Sequence, residues 1–155
     1  MRKSVLAGLI FAAFSVFAAD TIVFEPARPA SSPLVAARAA VDAKDWTKAI
    51  GLLNQMVRDE PRNADAYNLL GYSYRKQAQP NLPKAFESYQ MALKLNPNHK
   101  GAHEYIGEAY LMDNQPDEAQ KHLVQLEKIC GSKSCEEYED LAKALANFRL
   151  QAPRK

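Results

Sequence analysis

Two prolines and a glycine at regular distances constrain this chain most. Pro61 and Pro97 are 36 residues apart, and Gly131 stands 34 residues beyond Pro97. Each follows a stretch whose apolar residues recur at three- and four-residue spacing, the period of a helix with one buried face. No segment from Leu34 onward alternates in the manner of a strand. Smaller marks keep the same rhythm. Gly107 to Ala119 and Ala37 to Ala49 each span 12 residues, whereas Gly71 to Ala85 spans 14. The two extra residues fall in Gln77-Ala78-Gln79-Pro80-Asn81-Leu82-Pro83, a loop by composition. With them set aside the period is 34 throughout. A period of this length belongs to stacked helix pairs, because one pair alone cannot bury its apolar face. The expected fold is all-α: an α-solenoid of three helix-turn-helix units over about 30–63, 64–99 and 100–131.

The residues inside the period carry a resemblance. The second unit reads Tyr67, Leu70, Gly71, Tyr74, Ala85, Tyr89, Ala92, Pro97. The third reads His103, Ile106, Gly107, Tyr110, Ala119, Leu123, Leu126, with Gly131 in place of the proline. The first is degenerate: Ala36, Ala37, Ala40, Ala49, Leu53, Met56, Pro61, with Pro33 where the aromatic would stand. This pattern resembles the tetratricopeptide repeat (TPR) family. In physical terms Gly71 and Gly107, with Ala49, Ala85 and Ala119, let the two helices of a unit approach, while Tyr and Leu fill the gaps between units. Pro61 and Pro97 end helices, Pro83 and Pro116 start them, and Asn63 and Asn98 are expected N-caps.

The N-terminus differs from the rest. Met1-Arg2-Lys3 is basic, Val5–Phe17 is apolar apart from Ser15 and the small Gly8, and Ala18 and Ala19 follow. Charge, apolar run and small-residue exit make the pattern of a secretory signal peptide over 1–18, with the mature chain starting at Ala19. The apolar run is shorter than the ~20 residues a membrane span needs. The expectation is an exported protein, periplasmic or secreted, not membrane-embedded after cleavage. Loss of Arg2 and Lys3 leaves basic and acidic residues equal in number. The balance gives no case for nucleic acid, which needs a concentrated basic face. Residues 19–33, with Pro26, Pro29, Pro33, Ser31 and Ser32, read as a flexible linker into repeats spanning 34–131.

Beyond the repeats, Ser134 and Glu137 form a capping-box pattern ahead of a last helix. Tyr138, Leu141, Leu145 and Phe148 share one of its faces, and Glu136, Glu139, Asp140 and Lys143 the other. Residues 132–150 thus read as a helix capping the stack, with 151–155 as a tail. Cys130 and Cys135 are the two cysteines. In an exported protein an even pair defaults to a disulfide, here fixing the capping helix. The alternative is a redox or metal-binding protein using this pair. Its spacing differs from the redox Cys-x-x-Cys, and a metal needs further ligands.

His99 and His103 lie one turn apart, but the residue after His99 is Lys100, not the glutamate of the zinc-protease motif. No metal or cofactor is assigned. There is no phosphate-binding loop, nucleophile elbow or acid cluster at loop spacing, so the chain does not read as an enzyme. The resemblance implies a protein–protein interaction module or adaptor that binds a peptide or protein segment in a concave groove lined by the first helix of each unit. By that register the groove-facing residues are Leu34, Arg38, Val41 and Asp42, then Asp65, Asn68, Tyr72, Arg75 and Lys76, then Gly101, Glu104, Glu108, Leu111 and Met112. Arg38, Asn68, Tyr72, Arg75, Glu104 and Glu108 are the candidate binding residues, and truncating Tyr72 and Arg75 is expected to spare the fold. TPR domains that clamp the carboxylate tail of cytosolic chaperones use Lys and Asn, then Asn, then Lys and Arg. Here those places hold Leu34, Arg38, Leu69, Gly101 and Tyr105, so that clamp is absent.

Overall fold

A computed structural model describes residues 32–151. The expected signal peptide, most of the expected linker and all but the first residue of the tail lie outside this range. The described residues form seven α-helices and no strand: α1 (Pro33–Asp42), α2 (Trp46–Asp59), α3 (Ala64–Lys76), α4 (Leu82–Leu95), α5 (Lys100–Met112), α6 (Pro116–Cys130) and α7 (Glu136–Gln151). Helices α1 and α2, α3 and α4, and α5 and α6 pair, and each pair packs on the next.

Short polar side chains start most of the helices. Ser32, Asp45, Asn63 and Asn81 each accept from a backbone N–H three residues on, at 3.4, 3.1, 3.0 and 3.2 Å. The cap of α5 is His99, not Asn98: His99 Nδ1 accepts from Ala102 N–H at 3.2 Å. Asn98 lies one residue too early, where its own N–H is taken by Asn96 Oδ1 at 3.1 Å. At α7 the expected capping box is replaced. The Ser134 hydroxyl sits 3.0 Å from that of Ser132, and the Cys135 carbonyl accepts the first-turn N–H groups of Tyr138 and Glu139. Gly131 ends α6 at φ 68°, the left-handed cap for which glycine carries no steric penalty.

One backbone bond marks the repeat register. Asp45 N–H donates to Ala40 O in the first unit, and Gln115 N–H to Tyr110 O in the third, at 2.9 and 2.8 Å. The second unit makes the same bond at 2.9 Å, from Asn81 N–H to Tyr74 O. Its path is two residues longer, so the insertion bulges outward and the register recovers at Asn81. Lys44 and Asn114, equivalent turn positions of the two shorter units, both take positive φ, at 56° and 57°.

The core runs along the stack. Ala49, Ala85 and Ala119 are fully buried, as are Leu53, Tyr89 and Leu126. Gly71 does what the pattern requires, since a Cβ there would stand 2.6 Å from the Tyr89 ring of its partner helix α4. Gly107 does not face its partner α6. Its missing Cβ makes room for Leu141 of α7, 2.6 Å from where that atom would be. The reason is that α7 packs on α5 as the first helix of a further unit would. Leu141 and Leu145 are buried and Tyr138 and Phe148 half-buried, while Glu136, Glu139, Asp140 and Lys143 are exposed. The amphipathic pattern of α7 is therefore satisfied by burial of one face.

Candidate groove site

The first helices α1, α3 and α5 lie side by side, because α3 contacts both of the others. Between them opens a cleft of about 280 Å³ lined by Arg38, Val41, Asp42, Leu69, Tyr72 and Tyr105. Its floor is aromatic. Tyr72 and Tyr105 are tilted with centroids 4.8 Å apart, and Trp46 meets Tyr72 edge-on at 6.1 Å. The Arg75 guanidinium lies 5.5 Å from the Tyr72 ring and 5.6 Å from the Tyr105 ring, within cation–π range of both. Its Nε donates to the Tyr89 hydroxyl at 3.3 Å, and its Nη2 lies 2.5 Å from Glu108 Oε2. This last contact is a charge pair without hydrogen-bond alignment.

These contacts decide what each candidate residue does. Arg75 is 6% exposed and belongs to the floor. Burial lowers its pKa, but Tyr89 and Glu108 outweigh that and hold the guanidinium above its ordinary value. The sequence reading expects its truncation to spare the fold; its burial predicts instead a loss of stability. Burial pushes the Tyr105 phenol up to about 12. Asn68 is also buried, against Gly101, with its Oδ1 unpartnered. Arg38, Asp42, Asp65, Lys76 and Met112 are exposed along the groove, and Tyr72 and Glu108 are half-buried. Arg38 Nη2 lies 3.8 Å from Asp65 Oδ2, and Asp65 Oδ1 lies 3.0 Å from His99 Nε2.

The C-terminal end of the groove is acidic. Glu104 is 8% exposed, and burial, with Glu108, Asp140 and Glu137 around it, raises its carboxyl to about 8. It is thus largely protonated at neutral pH. A second cleft joins this end, between Arg75, Glu108, Leu111, Met112 and the α7 residues Ala144 and Phe148. Another, of about 750 Å³, lies between the turn Lys44–Thr47 and the loop Gln77–Pro83, and reaches the groove through Trp46.

The sequence singled out neither Tyr105, which lines the cleft, nor Trp46, which packs edge-on against Tyr72. Trp46 begins a second helix and so falls outside a register drawn on first helices. Tyr105 enters the sequence pattern only where a clamp lysine or arginine would stand. Cys130 and Cys135 are joined as a disulfide with Cα atoms 6.2 Å apart. Among the described residues they form, with Glu137, the one cluster of three potential metal ligands, but both sulfurs are engaged in the bond. His99 and His103, one turn apart, do not converge. His99 turns to Asp65 and His103 to His122.

Comparison with known proteins agrees with this architecture. Two models described as tetratricopeptide repeat match residues 34–100 and 88–121, together more than half of the chain. The chain belongs to the tetratricopeptide repeat family. No curated protein matches it in sequence. Among solved structures it is similar to the TPR2B domain of yeast Sti1, described in complex with pHsp70. The TM-score there is 0.69 at 15% identity, over 77% of this chain and 95% of that one. The TPR domain of Arabidopsis OM64 gives 0.66 at 16% identity, over 74% and 92%. A TPR protein of Thermus thermophilus, TTC0263, gives 0.61 at 23% identity, over 74% and 60%. At these identities the likeness concerns the fold. Among the described residues no helix is long and apolar enough to cross a membrane.

Proposed function

We propose that this chain is an exported, non-enzymatic interaction module whose groove binds an extended segment of a protein partner. The observation that carries the reading is the groove floor. Tyr72, Tyr105 and Arg75 are locked by one another, by Tyr89 and by Glu108. A surface held rigid before binding loses little entropy when it binds, and Tyr, Trp and Arg are the residues in which interface energy concentrates. Similar folds are described with peptides: yeast Sti1 TPR2B with pHsp70, and the first TPR of RPAP3 with the HSP90 peptide SRMEEVD. The partner chemistry here differs. Leu34, Leu69, Gly101 and Tyr105 supply none of the cations and amides of the chaperone-tail clamp. Export rests on the signal-peptide pattern of residues 1–18. The module would act as an adaptor in the periplasm or outside the cell.

The test is crosslinked capture of partners from the periplasm, with wild type and with Tyr72→Ala combined with Arg38→Ala. Both side chains reach solvent, so the helical signal should persist while capture of the specific partner drops at least about tenfold, the loss of one hot spot. Unchanged capture would place the site elsewhere. Absence of the protein from the periplasmic fraction, with residues 1–18 still attached, would overturn export.

A further inference from the structure

The third unit differs from the second at one interior contact. His103 on α5 and His122 on α6 meet Nδ1 to Nδ1 at 2.9 Å. His103 Nε2 lies 2.9 Å from the Pro97 carbonyl oxygen. A carbonyl only accepts, so in neutral His103 the proton sits on Nε2 and Nδ1 offers a lone pair. His122 Nδ1 must then donate. The ring centroids are only 5.1 Å apart, so the two nitrogens point head-on, with room between them for a proton. His122 also stacks on Tyr110, 5.6 Å away and 19° from parallel. In the second unit the repeat spacing puts Tyr67 and Ser88 at these two places, so no imidazole pair stands there.

We propose that the His103–His122 bond is an acid-labile latch between α5 and α6, which releases the third unit when the pair takes up a second proton. The first added proton goes to the free Nε2 of His122 and leaves the bond in place; the second goes to Nδ1 of His103 and puts N–H groups on both facing nitrogens, at hydrogen-bonding distance and with no acceptor between them. The surroundings do not offset the new charge. From α6, Glu118 and Lys121 flank His122, but Glu118 is already engaged by Lys121 Nζ at 2.6 Å. From the start of α5, His99 adds to the unfavourable field at His103, and the Asp65 carboxylate of α3 is taken up by His99. Tyr110 covers His122 and brings no charge.

The titration has the same sign. Burial pulls both imidazoles down. At His103 it is opposed by the Pro97 bond, and at His122 it is reinforced by His103, bringing that ring to about 4. Both rings are neutral when folded at pH 7, but in the unfolded chain they protonate near 6.5. The unfolded state therefore binds more protons between these values, and stability is lost as pH falls from 6.5 toward 4. Glu104, on the same α5, acts in the opposite sense. The latch does not depend on what the groove binds, although α5 also carries Tyr105 and Glu108, so release would dismantle the floor.

The test is amide hydrogen exchange at pH 7 and pH 5, corrected for intrinsic rates, on wild type and on His103→Tyr with His122→Ser. This variant installs the second unit's own pair in the third. Protection in α6 of the wild type should fall at least about tenfold relative to α4, one proton's linkage over one pH unit. The variant should hold its protection. Glu104 is present in both proteins and drops out of the difference. Equal loss in both, or no loss in wild type, overturns the latch. If the variant does not fold, ring-nitrogen NMR of the wild type decides. His103 in the Nε2–H form with both rings titrating well below 6.5 supports the latch, and ordinary titration of both rings overturns it.

Discussion

Arg75 reaches from α3 to Glu108 on α5, so one buried guanidinium ties the second unit to the third across the groove floor. Its neighbours give it shape as well as charge, with the adjacent Tyr72 and Tyr105 rings packed together on one side and a third tyrosine accepting from Nε. Arg75→Ala removes all of this and leaves Glu108 near an emptied pocket. The expected loss is about 3 kcal/mol, the low end for breaking a buried pair, because Glu108 keeps 27% of its side chain in water. Arg75→Met keeps the stem's packing and should lose less. Urea unfolding of the three proteins gives the comparison. Equal stability of Arg75→Ala and wild type would contradict the structural role.

Two glycines respond oppositely to alanine. At Gly71 a Cβ would meet the Tyr89 ring at 2.6 Å, so Gly71→Ala should destabilise by about 1–3 kcal/mol through overpacking. At Gly51, inside α2, a Cβ meets nothing within 4 Å. Gly51→Ala should stabilise by about 1 kcal/mol through helix propensity alone. Thermal melts of the pair check both signs.

Glu104 gives stability an alkaline side. Its folded value of about 8 lies above the ordinary 4.5, so the folded state holds a proton that the unfolded state has released. Its contribution is complete below about 4.5 and is lost as pH rises to 8. Glu104→Gln should remove this decline and raise the melting temperature relative to wild type at pH 8. An unchanged pH profile in the variant would mean that the carboxyl is not buried in solution.

The Cys130–Cys135 disulfide closes a short loop, with a sequence separation of 5. Loop-closure entropy then gives about 2 kcal/mol. Replacing both cysteines by serine should lower the unfolding free energy obtained from urea titration by that amount and leave the helical signal intact. A loss near 5 kcal/mol would show that α7 depends on the bond for its docking.

The repeat was legible because it is written in residues with a single steric use: small ones where helices touch, proline where they end, aromatics between units. The spacing alone gave three units, the two-residue insertion and the amphipathic face of α7. What it did not give concerns contacts between units. The register identifies which face of α3 looks along the groove, but not that Arg75 is swallowed there by Tyr72, Tyr105 and Tyr89. It paired His99 with His103 because they are one turn apart. The actual partner of His103 is His122, 19 residues on, through a helix pairing that one-dimensional periodicity does not encode. Periodicity places the contact of Gly107 within its own unit for the same reason, although Leu141 of α7 fills the space it leaves. The signal-peptide region lies outside the described residues.

The return of the chain at Asn81 has a practical meaning. Because the Asn81–Tyr74 bond recovers the register after seven residues as Asp45–Ala40 does after five, the turn of the second unit acts as slack in the chain. Slack of this kind separates what the solenoid must conserve in length from what it can vary. Loop-closure entropy rises only slowly with added residues, so this edge is where a tag, a fluorophore-bearing cysteine or a grafted epitope could be spliced in, leaving the spacing of the stack untouched.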